Sequence, residues 1–213
     1  MDSKILASGL LAAALFLASL HSHAQDNESR MDSKPLTISR NTLLSVDIAP
    51  ILLGGFGLGA DQALSEKFTV GALYLQAKPT DLLDGLFAEA QTELKTYGLR
   101  ARFYINRTFS ESGWYIGAAA VKSELKVRAR STLFGTGPWG TGTKEKIGPQ
   151  GSLGYQFIGR SMGESGQFSW NLAYIYGTGN NFSYQYSVVN SDATVNPILK
   201  DGSSAEATLG WMF

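Results

Sequence analysis

Eight segments of this chain alternate apolar and polar residues with a period of two, and no other feature of the sequence constrains the fold as strongly. In the segment FSWNLAYIY, apolar side chains stand on every second residue, with Ser169, Asn171 and Ala173 between them. A period of two places successive side chains on opposite faces of a β-strand. Seven segments are two-faced in this way, and FTVGALYLQA is apolar on both faces, so its phase is unclear. The sequence therefore predicts eight β-strands, in the segments TLLSVDIA, FGLGADQA, FTVGALYLQA, TYGLRARFYI, WYIGAAAVKSEL, GSLGYQF, FSWNLAYIY and AEATLGWMF.

The composition of the two faces indicates what surrounds the strands. The apolar faces carry the large aromatic residues, whereas the other faces carry glycine, serine, asparagine and a few charges of both signs. A soluble β-sandwich, which is the alternative, would bury its apolar faces and scatter charges outside. Alternating segments of about ten residues are typical of a transmembrane β-barrel that is apolar outside and polar within. Such a sheet must close, because an open edge in hydrocarbon leaves backbone groups unpaired. We therefore expect an all-β fold, an eight-stranded antiparallel transmembrane β-barrel.

The connections between the segments differ in length on the two sides of the predicted barrel. SEK, RTFSESG and GRSMGESGQ are short, and they alternate with connections that are longer or strongly polar, except for a tight first hairpin around PILLGG. This asymmetry predicts short periplasmic turns and longer extracellular hairpins. Aromatic residues at the short-turn ends predict a girdle at one membrane interface, with Tyr74, Tyr97 and Tyr176 at the other. The predicted girdle consists of Phe68, Phe103, Trp114, Tyr115, Tyr155, Phe157, Phe168, Trp170, Trp211 and Phe213.

The amino-terminal residues are predicted to be a targeting segment. Lys4 precedes an apolar run of 16 residues, and small residues follow at Ser22 and Ala24. This pattern predicts a signal peptide over residues 1–24, cleaved between Ala24 and Gln25. A transmembrane anchor is the weaker alternative, because the run falls short of about 20 residues. Residues 25–40 are polar and are expected to form a flexible periplasmic leader, which leaves residues 41–213 for the barrel.

The amino-acid composition excludes several kinds of chemistry. The chain has no cysteine, and both histidines, His21 and His23, lie in the predicted signal peptide. Serine–histidine triads, thiol nucleophiles and most zinc sites are therefore excluded from the mature chain. Acidic and basic residues number 18 each, so the charge gives no reason to expect nucleic acid as a partner. We expect no enzyme activity, no catalytic residue, no metal site and no cofactor.

The last strand carries a more specific signal. Leu209, Trp211 and Phe213 alternate to the end of the sequence. This ending resembles the carboxy-terminal signature of Gram-negative outer-membrane proteins, which is read by the barrel-assembly machinery. With the strand count, the chain resembles the small eight-stranded family of outer membrane proteins A, X and W. The stretch from Ser45 to Tyr74, followed by GLRARFYI and GWYIGAAA, is also similar to bacterial barrel families of unknown function. The resemblance implies a multi-pass β-barrel in the bacterial outer membrane, with membrane lipid and the assembly machinery as partners.

The phase of the strands predicts which charges face the lumen. An eight-stranded barrel has an interior that side chains can just fill. Charges in such an interior must be paired, so we interpret the inward charges as an ion-pair network that plugs the lumen. The alternative is a narrow, selective channel. The predicted lumen network consists of Asp47, Asp61, Arg100, Arg102, Lys122, Glu124 and Glu206.

Three strands are predicted to project beyond the membrane. The alternation of the seventh segment continues through Phe182 to Val188, which is longer than the 9–11 residues that a bilayer needs. The flanks EAQTELK and KVRARS carry opposite charges and are expected to pair across the sheet. Such a raised sheet resembles the surface fin of outer membrane protein X, and partners could bind its edges by strand addition; alternatively, it shields the barrel mouth. The segment TLFGTGPWGTGTKEK is expected to be a loop that exposes Phe134 and Trp139, and TDLLDGLFAEA has a short helical pattern.

These observations predict an integral outer-membrane protein with a polar, plugged lumen. Its role would be structural or one of surface interaction, carried by the extracellular hairpins. The alternative function is a narrow channel for small or apolar solutes.

Overall fold

Eight antiparallel strands form a closed barrel in sequence order, with β8 hydrogen-bonded back to β1. The computed structural model describes residues 41–78, 88–131, 138–161, 166–189 and 192–213. The predicted signal peptide, the leader and most of the helical pattern in TDLLDGLFAEA lie outside these residues. The predicted eight-stranded antiparallel barrel is confirmed. The strands are β1 Thr42–Asp47, β2 Phe56–Ser65, β3 Phe68–Ala77, β4 Ala88–Tyr104, β5 Gly113–Ser131, β6 Gly140–Ser161, β7 Gln167–Val189 and β8 Asp192–Met212.

The strands are staggered as well as closed. From Val46, cross-strand partners lead through β2, β3, β4 and β5 to Ile147 of β6. In the other direction they lead through β8 and β7 to Phe157 of the same strand, ten residues away. Closing a sheet requires such a stagger, because the strands tilt relative to the barrel axis.

The outward faces are apolar and exposed. Leu58, Leu99 and Leu172 expose 49%, 71% and 47% of their surface, and the residues between them on the same strands point inward. The phase predicted from the alternation is correct for six of the seven two-faced segments; β5 is the exception. We call the exposed side chains on this face the outer apolar band, which includes Leu44, Val46, Leu58, Leu99, Phe103, Trp114, Ile116, Leu153, Trp170, Leu172, Tyr174 and Leu209.

The two ends of the barrel differ. At one end, the connections from β2 to β3, β4 to β5 and β6 to β7 are short, as predicted. At the other end, a 3-10 helix, Ala49–Leu53, joins β1 to β2, and Gly54 ends it with φ of 66°, a conformation that glycine adopts readily. We call these the short-turn end and the hairpin end. Among the described residues, no helix is long and apolar enough to cross a membrane.

Five strands continue beyond the others at the hairpin end. Strands β4 to β8 contain 17 to 23 residues, whereas β1 to β3 contain 6 to 10. Strand β4 pairs with β3 only up to Leu94, and β6 pairs with β7 only from Gln150 onwards. Beyond these points β4, β5 and β6 form a three-stranded extension, which we call the projecting sheet. The segment from Gly140 to Lys146, expected to be a loop, is therefore a strand.

The β7–β8 hairpin leaves the barrel wall and packs against the projecting sheet. The pairing between β7 and β8 is irregular from Gly177 to Asn181, where β7 has extra residues, and such a bulge bends a strand. Beyond it, apolar side chains of β8 pack against those of β4 and β5. We call this group the cap core; it consists of Ala90, Leu94, Leu125, Val127, Ala129, Val195 and Leu199.

Candidate functional site

Four charged residues from three strands meet in the lumen: Asp61, Arg100 and Arg102 are buried, and the side chain of Glu206 is 11% exposed. Arg100 donates from Nε and Nη2 to the two carboxylate oxygens of Asp61, at 2.8 and 2.6 Å. Its Nη1 lies 3.2 Å from Oε1 of Glu206. Arg102 reaches the same two acids, at 3.3 Å to Asp61 and 3.0 Å to Glu206. We call these residues the charged layer. Two acids and two bases balance, so each buried charge has partners of opposite sign.

Glycine on the neighbouring strands makes room for this layer. A Cβ atom at Gly59 would collide with the guanidinium of Arg100, and one at Gly71 would collide with the carboxylate of Asp61. Strands β2 and β3 therefore present bare backbone where the two side chains lie. This close approach explains Gly59 and Gly71 on the polar faces of these strands.

The structure brings together four of the seven residues predicted for the lumen network. Asp47 also points inward, but its contacts are the backbone N–H groups of Ala49 and Ala207, at 3.1 and 3.3 Å. The prediction that Lys122 and Glu124 face the lumen is wrong. The buried residues of β5 are the odd-numbered ones, such as Val121, Ser123 and Leu125, so the even-numbered ones point outward.

Lys122 and Glu124 lie beyond the outer apolar band. Lys122 is paired in register with Tyr97 and forms a 2.7 Å ion pair with Glu145 of β6. Within the band itself, β5 presents Trp114 and Ile116 outward. In the sequence, these two apolar residues indicate that the even-numbered side chains of β5 point outward. For the same reason Tyr115, which we expected in the aromatic girdle, is buried inside the barrel.

Aromatic and apolar side chains fill the lumen at the short-turn end. Tyr104 donates a 2.8 Å hydrogen bond to Gln156, which in turn donates to the carbonyl of Phe109 at 2.6 Å. Phe109 belongs to the β4–β5 turn and is 2% exposed, because the turn folds inward beneath the barrel wall. The alternation of apolar and polar residues gives no signal for Phe109, because it lies in a turn. We call this group the inner plug; it consists of Leu43, Tyr104, Phe109, Tyr115, Ala173 and Met212.

A cavity of about 210 Å³ lies on the hairpin side of the charged layer. Its lining includes Asp47, Glu206 and Arg100, together with Gln150 and Asn180. Gln150 donates to Asn180 Oδ1 at 2.6 Å, and Asn180 donates to the carbonyl of Gly202 at 2.8 Å. The bulge in β7 is thereby tied to β6 and β8 above the cavity.

A charged pair connects β4 and β5 of the projecting sheet, as predicted: Glu89 pairs with Arg130 through a 2.7 Å contact to Nε. Glu93 stands opposite Lys126 in the register, but its ion pair is with Lys95 of the same strand, at 3.4 Å. Trp139 is not exposed as expected, because the guanidinium groups of Arg130 and Arg128 stack on its ring at 4.9 and 5.5 Å. Phe134 lies outside the described residues.

A separate ion pair joins the projecting sheet to the β7–β8 hairpin. Lys146 of β6 lies 2.8 Å from Asp201 of β8. The hydrogen bond from Lys146, with a second from Thr178, holds the pKa of the Asp201 carboxyl below its usual value of 3.8. Strand β6 is thus connected to the hairpin where its pairing with β7 has ended.

The side chains in the lumen form ion pairs and hydrogen bonds to each other. Within the described part of the chain, no group of three or more histidine, cysteine, aspartate or glutamate residues is placed to hold a metal ion. The two arginines of the charged layer are each held by two carboxylates. The ion pairs of the charged layer can hold the strands of the barrel wall together. Its carboxylates and guanidinium groups can also attract or repel a small charged molecule in the lumen.

Similarity to known proteins is found among solved structures. No protein-family model matches the chain, and no curated protein matches its sequence. The chain is similar to the crystal structure of Ail, the attachment invasion locus protein of Yersinia pestis. The TM-score is 0.44 and the sequence identity 12%, over 82% of this chain and 99% of that chain. The closed eight-stranded barrel is established by the strand register of this chain itself.

Proposed function

We propose that this protein is an integral β-barrel of the bacterial outer membrane. The observation that carries the proposal is the outer apolar band, in which large apolar side chains stay exposed around a closed sheet with a polar, paired interior. Exposed apolar surface on this scale is not stable in water, whereas lipid solvates it. In this orientation the short turns are periplasmic and the projecting sheet and hairpin are extracellular.

We further propose that the lumen does not conduct. The inner plug, the charged layer and the bulge above the cavity lie one above another along the barrel axis. The ion pairs of the charged layer are nearly dry, with Asp61 and Arg102 only 1% and 3% exposed. An ion passing through would have to separate these pairs, which is costly at low dielectric.

The part of the protein available for function is then the extracellular part. We propose a structural or surface-interaction role for the projecting sheet and the β7–β8 hairpin. Strand β6 has no strand partner along residues 140–149 on its β7 side within the described chain. Pro149 is compatible with such an edge, since proline lacks the N–H that a central strand must donate. An unpaired edge can accept an added strand from a partner.

Epitope tags test the orientation and the membrane location. One tag is inserted between Val189 and Asp192, at the end of the β7–β8 hairpin, and a matched tag between Glu66 and Lys67, in a short turn. In a Gram-negative host, antibody should stain the hairpin tag on intact cells and the turn tag only after permeabilisation. Equal staining of both tags on intact cells, or recovery of the protein outside the outer-membrane fraction, would contradict the proposal.

The surface role is tested by deleting residues 180–192 and displaying the shortened and intact chains at equal density. We expect adhesion of the displaying cells to other cells and to protein-coated surfaces to fall on deletion, while the barrel remains folded. The control is a variant in which both residues of the outward pair, Lys122 and Glu145, are replaced by uncharged residues, which leaves the net charge unchanged. Adhesion that is unchanged by the deletion would remove the hairpin from the proposal.

The barrel-assembly machinery remains a proposed partner. Leu209 and Trp211 lie on the outer face of β8, and Phe213, which follows the strand, exchanges backbone hydrogen bonds with Thr42 of β1. We expect replacement of Trp211 and Phe213 by serine to slow insertion of the barrel into the outer membrane in cells. Unchanged insertion kinetics would argue against a signal in these residues.

A narrow channel is the second candidate function, and the lumen cavity of about 210 Å³ favours it. It requires the inner plug or the bulge to move aside. If a channel exists, Arg100→Ala and Glu206→Ala should change its conductance, because both residues line the cavity.

A further inference from the structure

The lumen cavity is not used by the proposed surface role. We propose that it is a binding site for one small organic cation, an ammonium group with a short apolar body, whose charge lies beside the carboxylate of Asp47. The proposal rests on the charge, the hydrogen-bonding groups and the apolar wall of the cavity, and it does not depend on the surface role.

The charge of the cavity wall favours a cation. Arg100 is the basic side chain among the described lining residues, and its guanidinium is already bonded to Asp61 and Glu206. With Arg102, these residues form the neutral charged layer. Asp47 adds one further carboxylate, and no basic side chain of the described chain is paired with it. Counted over the described residues, the interior therefore has an excess of one negative charge at the cavity, which a bound cation would balance.

Hydrogen-bond acceptors stand at the same place. Asp47 accepts its two backbone hydrogen bonds at Oδ1, from Ala49 and Ala207. Ser45 lies two residues before it on the same inward face and also lines the cavity. Ser45 is 5% exposed, and its Oγ has no hydrogen-bond partner among the described residues. An ammonium group donates three hydrogen bonds, and these two side chains offer acceptors for it.

The rest of the wall selects for a small apolar body. Leu73, Leu75, Leu94 and Ile175 point into the cavity, and Pro50 of the 3-10 helix closes one side. Pockets that hold drug-sized molecules measure about 300–1,000 Å³, so a cavity of about 210 Å³ takes a smaller ligand. A ligand with one aromatic or branched aliphatic group next to an ammonium group fits both the volume of the cavity and the chemistry of its lining.

Benzylammonium is a suitable test ligand, with benzyl alcohol and benzoate as neutral and anionic controls. Each is titrated into the refolded mature chain in micelles of a zwitterionic detergent, by isothermal titration calorimetry. We expect saturable binding of benzylammonium and much weaker binding of the two controls. Asp47→Asn should weaken benzylammonium at least about tenfold, because a charge-assisted contact is lost. The variant keeps an Oδ1 acceptor for Ala49 and Ala207, so the barrel should fold, as checked by heat-modifiable migration on a gel.

Two further variants separate the site from general attraction of cations. Glu145→Gln removes the same charge from the outer surface and should leave benzylammonium binding unchanged. Ile175→Phe fills part of the cavity and should abolish binding with Asp47 still present. The proposal is overturned if the intact chain shows no saturable binding, if Asp47→Asn binds as well as the intact chain, or if benzyl alcohol binds equally well.

Discussion

Arg100 and Arg102 stand two residues apart on β4, and each of them reaches one carboxylate on β2 and one on β8. No two of these three strands are neighbours in the barrel. The charged layer therefore ties together parts of the wall that no backbone hydrogen bond connects. Desolvation opposes burying four charges, and only their mutual pairing offsets it. The sequence pattern places these four residues on inward faces, but it contains nothing that fixes their distances.

Removing one acid from the charged layer should be strongly destabilising. Asp61→Ala leaves Arg100 and Arg102 to share Glu206, with an excess positive charge in a dry interior. We expect the free energy of unfolding in phospholipid vesicles, from urea titration followed by tryptophan fluorescence, to fall by about 3–5 kcal/mol. Glu145→Ala, which breaks an outward pair, should change it far less. If the free energy of unfolding fell equally in the two variants, the charged layer would contribute no more to stability than an ion pair on the surface.

The Lys146–Asp201 pair makes a prediction about pH. The folded pKa of Asp201, in the projecting part of β8, lies below its usual value of 3.8 because Lys146 donates to the carboxylate. The pair's contribution to stability is therefore present above pH 3.8 and is lost as the pH falls through the lowered folded pKa.

Carboxyl NMR titration of Asp201 measures this directly. Lys146→Met should move the pKa back towards 3.8, whereas Lys144→Met, two residues away, should leave it low. An Asp201 that titrates at its usual value in the intact chain would mean that the contact is not maintained in solution.

The strands themselves were largely predictable from alternation, because the outer face of each strand must be apolar over the length of the outer apolar band. The alternation gives the wrong outward face only for β5, because part of that segment lies beyond the outer apolar band. Lys122 and Glu124 lie beyond the outer apolar band. Their polarity therefore indicates contact with solvent and not an inward position. The fold of the β7–β8 hairpin over the projecting sheet was not predictable either. It depends on a three-residue irregularity at Thr178–Asn180 and on contacts between residues about 70 or more positions apart, such as Leu125 and Val195.

The packing of the hairpin gives a prediction at the level of this element. Leu199 is 6% exposed in the cap core, and Leu199→Glu would place a charge there without a partner. We expect the hairpin to separate from the projecting sheet while the barrel stays closed. Proteinase K should then cleave between residues 178 and 205 at least about tenfold faster than in the intact chain, since about 1.4 kcal/mol of opening free energy is a factor of ten.

The matched control for this substitution is Asn196→Glu, which introduces the same charge at a neighbouring exposed position of β8. Its cleavage rate should stay close to that of the intact chain, and both variants should migrate as folded barrels on unheated gels. Equal protection of Leu199→Glu and the intact chain would show that the cap core does not hold the hairpin.

The whole molecule combines an apolar outer wall with an interior that holds apolar side chains, ion pairs and the lumen cavity. The inner plug seals the short-turn end, the charged layer crosses the middle, and the bulge with Gln150 and Asn180 covers the hairpin side. These features underlie our proposal that the barrel supports its projecting strands and that its lumen binds a small molecule without conducting.

Single-channel recording is the most direct test of this account. The refolded chain from Gln25 to Phe213 is inserted into a planar bilayer, and the same preparation is shown to be folded by its migration on heated and unheated gels. The account predicts a folded barrel that inserts and gives no discrete conductance steps. Discrete steps that change with Arg100→Ala or Glu206→Ala would contradict it, because ions would then be passing through the charged layer.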